Sequence, residues 1–177
     1  MKTITESAKK SITEHLNRLL QVEYNMIFSY PRVIDRLARD DRIEDKQFVK
    51  PLEQLVKESI HHFDVVNNWI VKLGGETIWN IGIVSSSVDA GELLLQQLEK
   101  ETLAISWYKA TKTIAEQNIV EAGGLVGKLT GTKDILPEDY VNVDELISML
   151  DQHIADEERH TRIAKDSSDR LSMLGNE

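Results

Sequence analysis

Apolar side chains recur at intervals of three and four along most of this chain, the pattern of helices that bury one face. The first such run covers about residues 5–37, with Ile12, Leu16, Leu19, Met26 or Ile27, and Tyr30 on the inward stripe. Pro31 lacks an N–H and crowds the preceding turn, so it is expected to kink this helix or end its regular part. The stretch 39–46 is almost all charged and reads as a solvated turn. A second run spans about 45–73, with Phe48, Leu52, Leu55, Val65 and Trp69 inward and a bend allowed at Pro51; Gly74 and Gly75 stop it. A third, capped by Ser87 or Asp89, continues to about Gln117 with Leu94, Leu98, Ile105 and Tyr108 inward. The stretch 142–145, Asn-Val-Asp-Glu, resembles a capping box and opens a fourth helix to about Leu171, with Leu146, Leu150, His153 and Ala164 inward.

Two connections stand out. Residues 76–87 show no helical period and read as an extended crossover, long enough to carry the chain along a bundle so that helices two and three lie parallel. Residues 119–140 contain Gly123, Gly124, Gly127, Gly131 and Pro137, which argue against continued helix, and loops of this length are usually functional or mobile. The pattern predicts one all-α domain over 1–177, a four-helix bundle with a long crossover between helices 2 and 3.

Composition narrows the chemistry. No cysteine is present, which excludes disulfides, zinc knuckles and iron–sulfur clusters, so any metal must be held by oxygen and nitrogen. A formal net charge of -9 argues against nucleic acid as a partner. No run is long and apolar enough for a membrane span, and residues 1–10 lack a secretory hydrophobic stretch; the expectation is a soluble cytoplasmic protein with no membrane partner.

Glutamates interrupt the apolar stripes. Glu23 does so in the first helix and Glu101 in the third, while the second and fourth carry Glu58-Ser59-Ile60-His61 and Glu157-Glu158-Arg159-His160. Residues three apart stack on one helix face, so each Glu-x-x-His pair offers a carboxylate and an imidazole to one ion. A single pair is weak evidence; the conjunction is the signal, since four inward carboxylates are tolerated in a core only when neutralised. Glu23, Glu58, His61, Glu101, Glu157 and His160 together make the ligand set of a two-metal carboxylate site in a bundle, suited to iron or manganese. Tyr30 and Tyr108 each follow a glutamate by seven residues and are either core aromatics or groups that hydrogen-bond the ligands or donate electrons. His153, one turn before Glu157, is either a satisfied core histidine or an additional ligand.

At these residues the chain resembles the ferritin-like superfamily, most closely bacterioferritin and the Dps-like proteins with an in-bundle site. The resemblance implies a ferroxidase: Glu58 and Glu157 bridge two irons per subunit, Glu23 with His61 and Glu101 with His160 complete them, and Tyr30 stands beside the site. It implies ferrous iron with dioxygen or peroxide as substrates, and iron storage or detoxification in a homo-oligomer of twelve, twenty-four or two copies. The family places an aspartate before each pair to hold the opposite histidine; Asp156 fits and Lys57 does not. Ser59 stands where bacterioferritin has its haem methionine, so no haem is expected. The other enzyme class compatible with the ligand set is a non-storing di-iron or di-manganese peroxidase, manganese catalase or oxygenase.

Overall fold

A computed structural model describes residues 2–40, 49–80, 87, 89–121 and 141–174. They form an all-α bundle of four helices, α1 (Glu6–Arg39), α2 (Val49–Lys72), α3 (Ala90–Gln117) and α4 (Val143–Leu174), with two short strands, β1 (Lys2–Ile4) and β2 (Ile119–Glu121). Most of the charged turn at 39–46, part of the crossover and most of the glycine-rich connection lie outside the described residues. Among the described residues no helix is long and apolar enough to cross a membrane.

The helices begin where short polar side chains satisfy free backbone N–H groups. Thr5 Oγ1 accepts from the N–H of Ala8 at 3.3 Å, Asp89 Oδ1 from Glu92 at 2.8 Å, and Asn142 Oδ1 from Glu145 at 3.3 Å. Ser87 adds a bond from its hydroxyl to Glu92. After α2 the chain turns through Gly74, whose φ of 75° is open to glycine without a Cβ penalty. Pro31 does not end α1: it sits on the exposed face, and Tyr30, Val33 and Leu37 keep the opposite face buried to the end of the helix.

Each helix buries a seam with alternating steps of four and three. In α1 it is Ile12, Leu16, Leu19, Glu23, Met26, Tyr30, Val33 and Leu37; in α3 it includes Leu94, Gln97, Glu101, Ala104, Tyr108 and Thr111. An average of 3.5 residues keeps such a seam facing its neighbours over the roughly five to seven turns it spans. Side-chain contacts set the directions. Glu23 meets Tyr108 and Tyr30 meets Glu101, so α1 and α3 are antiparallel; Glu58 meets His160 and His62 meets Glu157, so α2 and α4 are antiparallel. Because α1 also runs against α2, with Tyr24 beside Phe63 and Asn17 beside Glu76, helices α2 and α3 are parallel, as the long crossover requires.

The strands were not legible in the sequence. β1 pairs antiparallel with β2 in the register Lys2 to Glu121, Thr3 to Val120 and Ile4 to Ile119, which tucks Ile4 into the core at the α3 end. Three-residue strands are too short to show a period, so residues 119–121 read as loop.

Asn17 fastens the start of the crossover. Its amide donates to Glu76 O at 3.0 Å and its Oδ1 accepts the N–H of Ile78 at 2.7 Å, in a site where Asn17 is buried. Removing the side chain leaves both backbone groups without it, so Asn17→Ala is expected to lower stability by about 1–3 kcal/mol in urea unfolding. A shift below a few tenths would show that the crossover is anchored elsewhere.

Candidate metal centre

The middle of the bundle is polar. Glu23, Glu101, Glu157 and His160 are fully buried, and His62 is 1% exposed. Two groups could each hold an ion: Glu23, His62 and Glu157, and Glu101, Glu157 and His160, the three ligand atoms of each lying within 4.8 Å of one another. Glu157 belongs to both. The α4 pair Glu157 and His160 therefore faces inward, as its seam of Leu146, Leu150, His153, Glu157, His160 and Ala164 requires.

The second helix differs from the expectation. His62 enters the cluster, while His61 is exposed; Ser59 takes the buried position and Glu58 is half-buried at the edge. The reason is the seam. Leu55, His62 and Trp69 are seven apart, as are Leu52, Ser59 and Val66, and all six are buried. A stripe through Leu52, Leu55 and Glu58 takes two consecutive steps of three and drifts about 120° off the packed face. The pattern on this helix is thus Ser-x-x-His, and the sevenfold spacing back from Trp69 is the signal that would have located His62.

Each buried imidazole has an inner and an outer nitrogen. His62 Nδ1 is 2.8 Å from Glu157 Oε1 and 3.4 Å from Glu23 Oε1, and its Nε2 is 3.5 Å from Asp156 Oδ2. His160 Nδ1 is 3.4 Å from Glu101 Oε2 and 3.6 Å from Glu157 Oε2, and its Nε2 is 2.7 Å from Glu58 Oε2. Asp156 thus backs a histidine on α2, but His62 and not His61. Glu58, expected as a bridging carboxylate, stands instead on the outer nitrogen of His160.

The tyrosines are reciprocal. The Tyr108 hydroxyl donates to Glu23 Oε1 at 2.8 Å, and the Tyr30 hydroxyl donates to Glu101 Oε1. Burial, together with the facing glutamates, raises both phenols well above their ordinary pKa, so each stays protonated as a donor. His153 lies 3.1 Å from the Tyr108 oxygen and stacks on His62 with ring centroids 4.1 Å apart. Burial and the neighbouring His62 push its pKa down to about 3, so it is a neutral ring.

Protons balance the buried charge. Burial disfavours the cationic forms of His62 and His160, but the close glutamates outweigh it and raise them to about 10 and about 11. Burial, and then Glu23 and Glu101, push the Glu157 carboxyl well up, so it keeps its proton. Glu101 is also pushed up by burial, yet the facing Glu157 and His160 groups and the Tyr30 hydroxyl hold it below the usual range. Even so, Glu23 Oε2, Glu101 Oε2, Glu157 Oε2 and His160 Nδ1 are all buried without a hydrogen-bond partner. Buried polar atoms are rarely left so, and four in one cluster of oxygen and nitrogen donors fit the binding of a cation.

No family model and no curated protein matches the sequence. Solved structures do match in shape. A ferritin-like, diiron-carboxylate protein from Bacillus anthracis str. Ames superposes with a TM-score of 0.66 at 23% identity, over 93% of this chain and 96% of that one. The bacterioferritin of Desulfovibrio desulfuricans gives 0.61 at 16% identity, over 96% and 85%. The chain has the ferritin-like fold. A third match is the bacterioferritin of Rhodobacter capsulatus, with a TM-score of 0.56 at 19% identity over 94% and 89%. In this ferritin-like bundle the cluster lies midway between the ends, where all four helices contribute a side chain.

The raised pKa values set the sign of a pH effect. Protonated His62 and His160 stabilise the metal-free fold fully below their unfolded value near 6.5, and this is lost as pH rises through about 10 and 11. Glu157, also raised, acts in the same direction. The metal-free protein is therefore expected to melt at progressively lower temperature from pH 7 to pH 10 in chelator. A melting temperature flat across that window would show that the two imidazoles are neutral in the folded chain.

Proposed function

We propose that this chain is a di-iron carboxylate protein that binds ferrous iron inside the bundle and oxidises it, with storage or detoxification in a homo-oligomer. The observation that carries the reading is the set of four partnerless buried ligand atoms, supplied by α1, α3 and α4, beside the inward nitrogen of His62. The structures it resembles support it: one is described as a diiron-carboxylate protein, and the Desulfovibrio bacterioferritin is described with a diiron site.

On this reading Glu23 and His62 hold one ion, Glu101 and His160 the second, and Glu157 bridges them. Bound Fe(II) is the substrate and the electron source, with dioxygen or peroxide as the acceptor. The protein supplies hard oxygen and borderline nitrogen donors, which suit both oxidation states of iron. Tyr30 and Tyr108 hold one oxygen each of Glu101 and Glu23, leaving the other oxygen of each carboxylate free for an ion. Protons leave the site as ions enter: His62, His160 and Glu157 are all protonated near neutral pH, so two divalent ions are expected to release about three protons, measurable with an indicator in weak buffer. Release of none would contradict the assignment.

Exposed apolar side chains support assembly. Phe28, Trp79 and Ile78 are 47%, 63% and 56% exposed, and Phe28 and Trp79 both pack on Tyr24. Covering such rings is a usual reason for copies to associate.

Glu157→Ala removes the carboxylate shared by both ions. It is expected to slow aerobic Fe(II) oxidation by more than the roughly 10–100-fold that loss of an outer partner costs. His62→Ala is expected to lose one of two tightly bound ions while His61→Ala keeps both, read by Co(II) titration. Unchanged oxidation in Glu157→Ala would sink the proposal. Iron retained after gel filtration separates storage, with tens of irons on a large particle, from a non-storing enzyme that saturates at about two.

A further inference from the structure

The outward side of the cluster has an organisation of its own, and reading it rests on the metal site just proposed. The carboxylate behind His160 comes from α2 and the one behind His62 comes from α4: Glu58 Oε2 is 2.7 Å from His160 Nε2, and Asp156 Oδ2 is 3.5 Å from His62 Nε2. A single guanidinium reaches both. Arg159 Nη2 lies 2.7 Å from Glu58 Oε2 and 3.1 Å from Asp156 Oδ1. The tie spans the seam between α2 and α4, which pack on each other far less closely than α1 does on α2 or α3 on α4.

We infer that Arg159 is a positioning residue for the metal centre, a clasp that sets Glu58 and Asp156 together and, through them, the orientation of both imidazoles. The ring plane of a ligating histidine is governed by what its other nitrogen bonds. Here both of those partners are held by one side chain, so the two ligand groups are aligned together. Without Arg159, Glu58 keeps Gln54 at 2.9 Å and Asp156 keeps Gln152 at 3.1 Å, each a partner on its own helix, so nothing ties the two carboxylates to each other across the seam and their like charges repel. The Arg159, Glu58 and Asp156 side chains are 38%, 23% and 22% exposed, so swinging outward meets no packed wall. Partly exposed ion pairs contribute little to global stability, which leaves alignment, not fold stability, as what the clasp provides. A lysine cannot replace it fully, because its compact, more strongly hydrated ammonium on a flexible stem is held in place less firmly than the planar guanidinium.

The test uses Co(II) with the full chain freed of metal by chelator, reading the visible absorption bands for ligand geometry and a competing chelator for affinity. Asp156→Asn is expected to weaken one of the two cobalt positions and Glu58→Gln the other. Arg159→Gln is expected to weaken both together, by roughly 10–100-fold, with altered bands, and Arg159→Lys to fall between it and the parent chain. Helix content and melting temperature of the metal-free variants should stay close to the parent's. Unchanged affinity in Arg159→Gln, weakening of one position only, full recovery with lysine, or a collapse of helix content would each overturn the clasp. Failure of the parent chain itself to bind cobalt would instead overturn the metal-site reading beneath it.

Discussion

Three carboxylates meet in a core that water does not reach, and the rest of the structure is arranged around that. Glu157 stands between Glu23 and Glu101, and like charges so placed in a low dielectric repel strongly. Without metal the cluster holds together because Glu157 keeps its proton and because His62 and His160 are imidazoliums facing the glutamates. The two positive rings offset the charge of the glutamates they face. Divalent cations can take over that role only by displacing the protons, which couples metal affinity to pH.

Such a cluster demands a rigid surround, and the bundle provides it through reciprocal pairing. Antiparallel α1 and α3 present Glu23 and Tyr30 against Tyr108 and Glu101, so each helix gives one carboxylate and one phenol to the other. The hydroxyls fix one oxygen of each carboxylate without adding charge. On α4 the hub residues Glu157 and His160 follow His153, whose neutral ring fills the space between Tyr108 and His62. This part of the core is a chain of polar contacts in which every ring has a defined orientation. Apolar packing continues on both sides of it, around Leu16, Leu19 and Ile70 at one end and Leu37, Leu52 and Leu94 at the other.

The two faces of the centre are built differently. Toward α1 and α3 the partners are buried hydroxyls; toward the α2–α4 seam they are charged and partly open to solvent, with Asp156 and Glu58 behind the two imidazoles. Burial raises both of those carboxyls, but hydrogen bonds from Gln54 and Arg159 to Glu58, and from Gln152 and Arg159 to Asp156, outweigh it and lower them from their ordinary range, so they stay ionised acceptors over the neutral region. On this side the wall of the cluster is charged and least tightly packed.

The linear sequence by itself determined the all-α bundle, the long crossover that makes α2 and α3 parallel, the caps at Asp89 and Asn142, and the inward glutamates of α1, α3 and α4. These follow from local spacing and end-group chemistry, which a helix expresses whatever it packs against. The α2 contribution was decided only in the folded bundle. Two adjacent histidines, His61 and His62, are separated by 100° around the helix axis, and a glutamate three residues before one of them made that one the natural choice from spacing alone. The packed seam through Leu55, His62 and Trp69 selects the other, because turning α2 to bring Glu58 and His61 inward would expose those apolar positions. The β1–β2 pairing and the link from Arg159 across to Glu58 are likewise tertiary: contacts between distant segments leave no period in the chain that carries them.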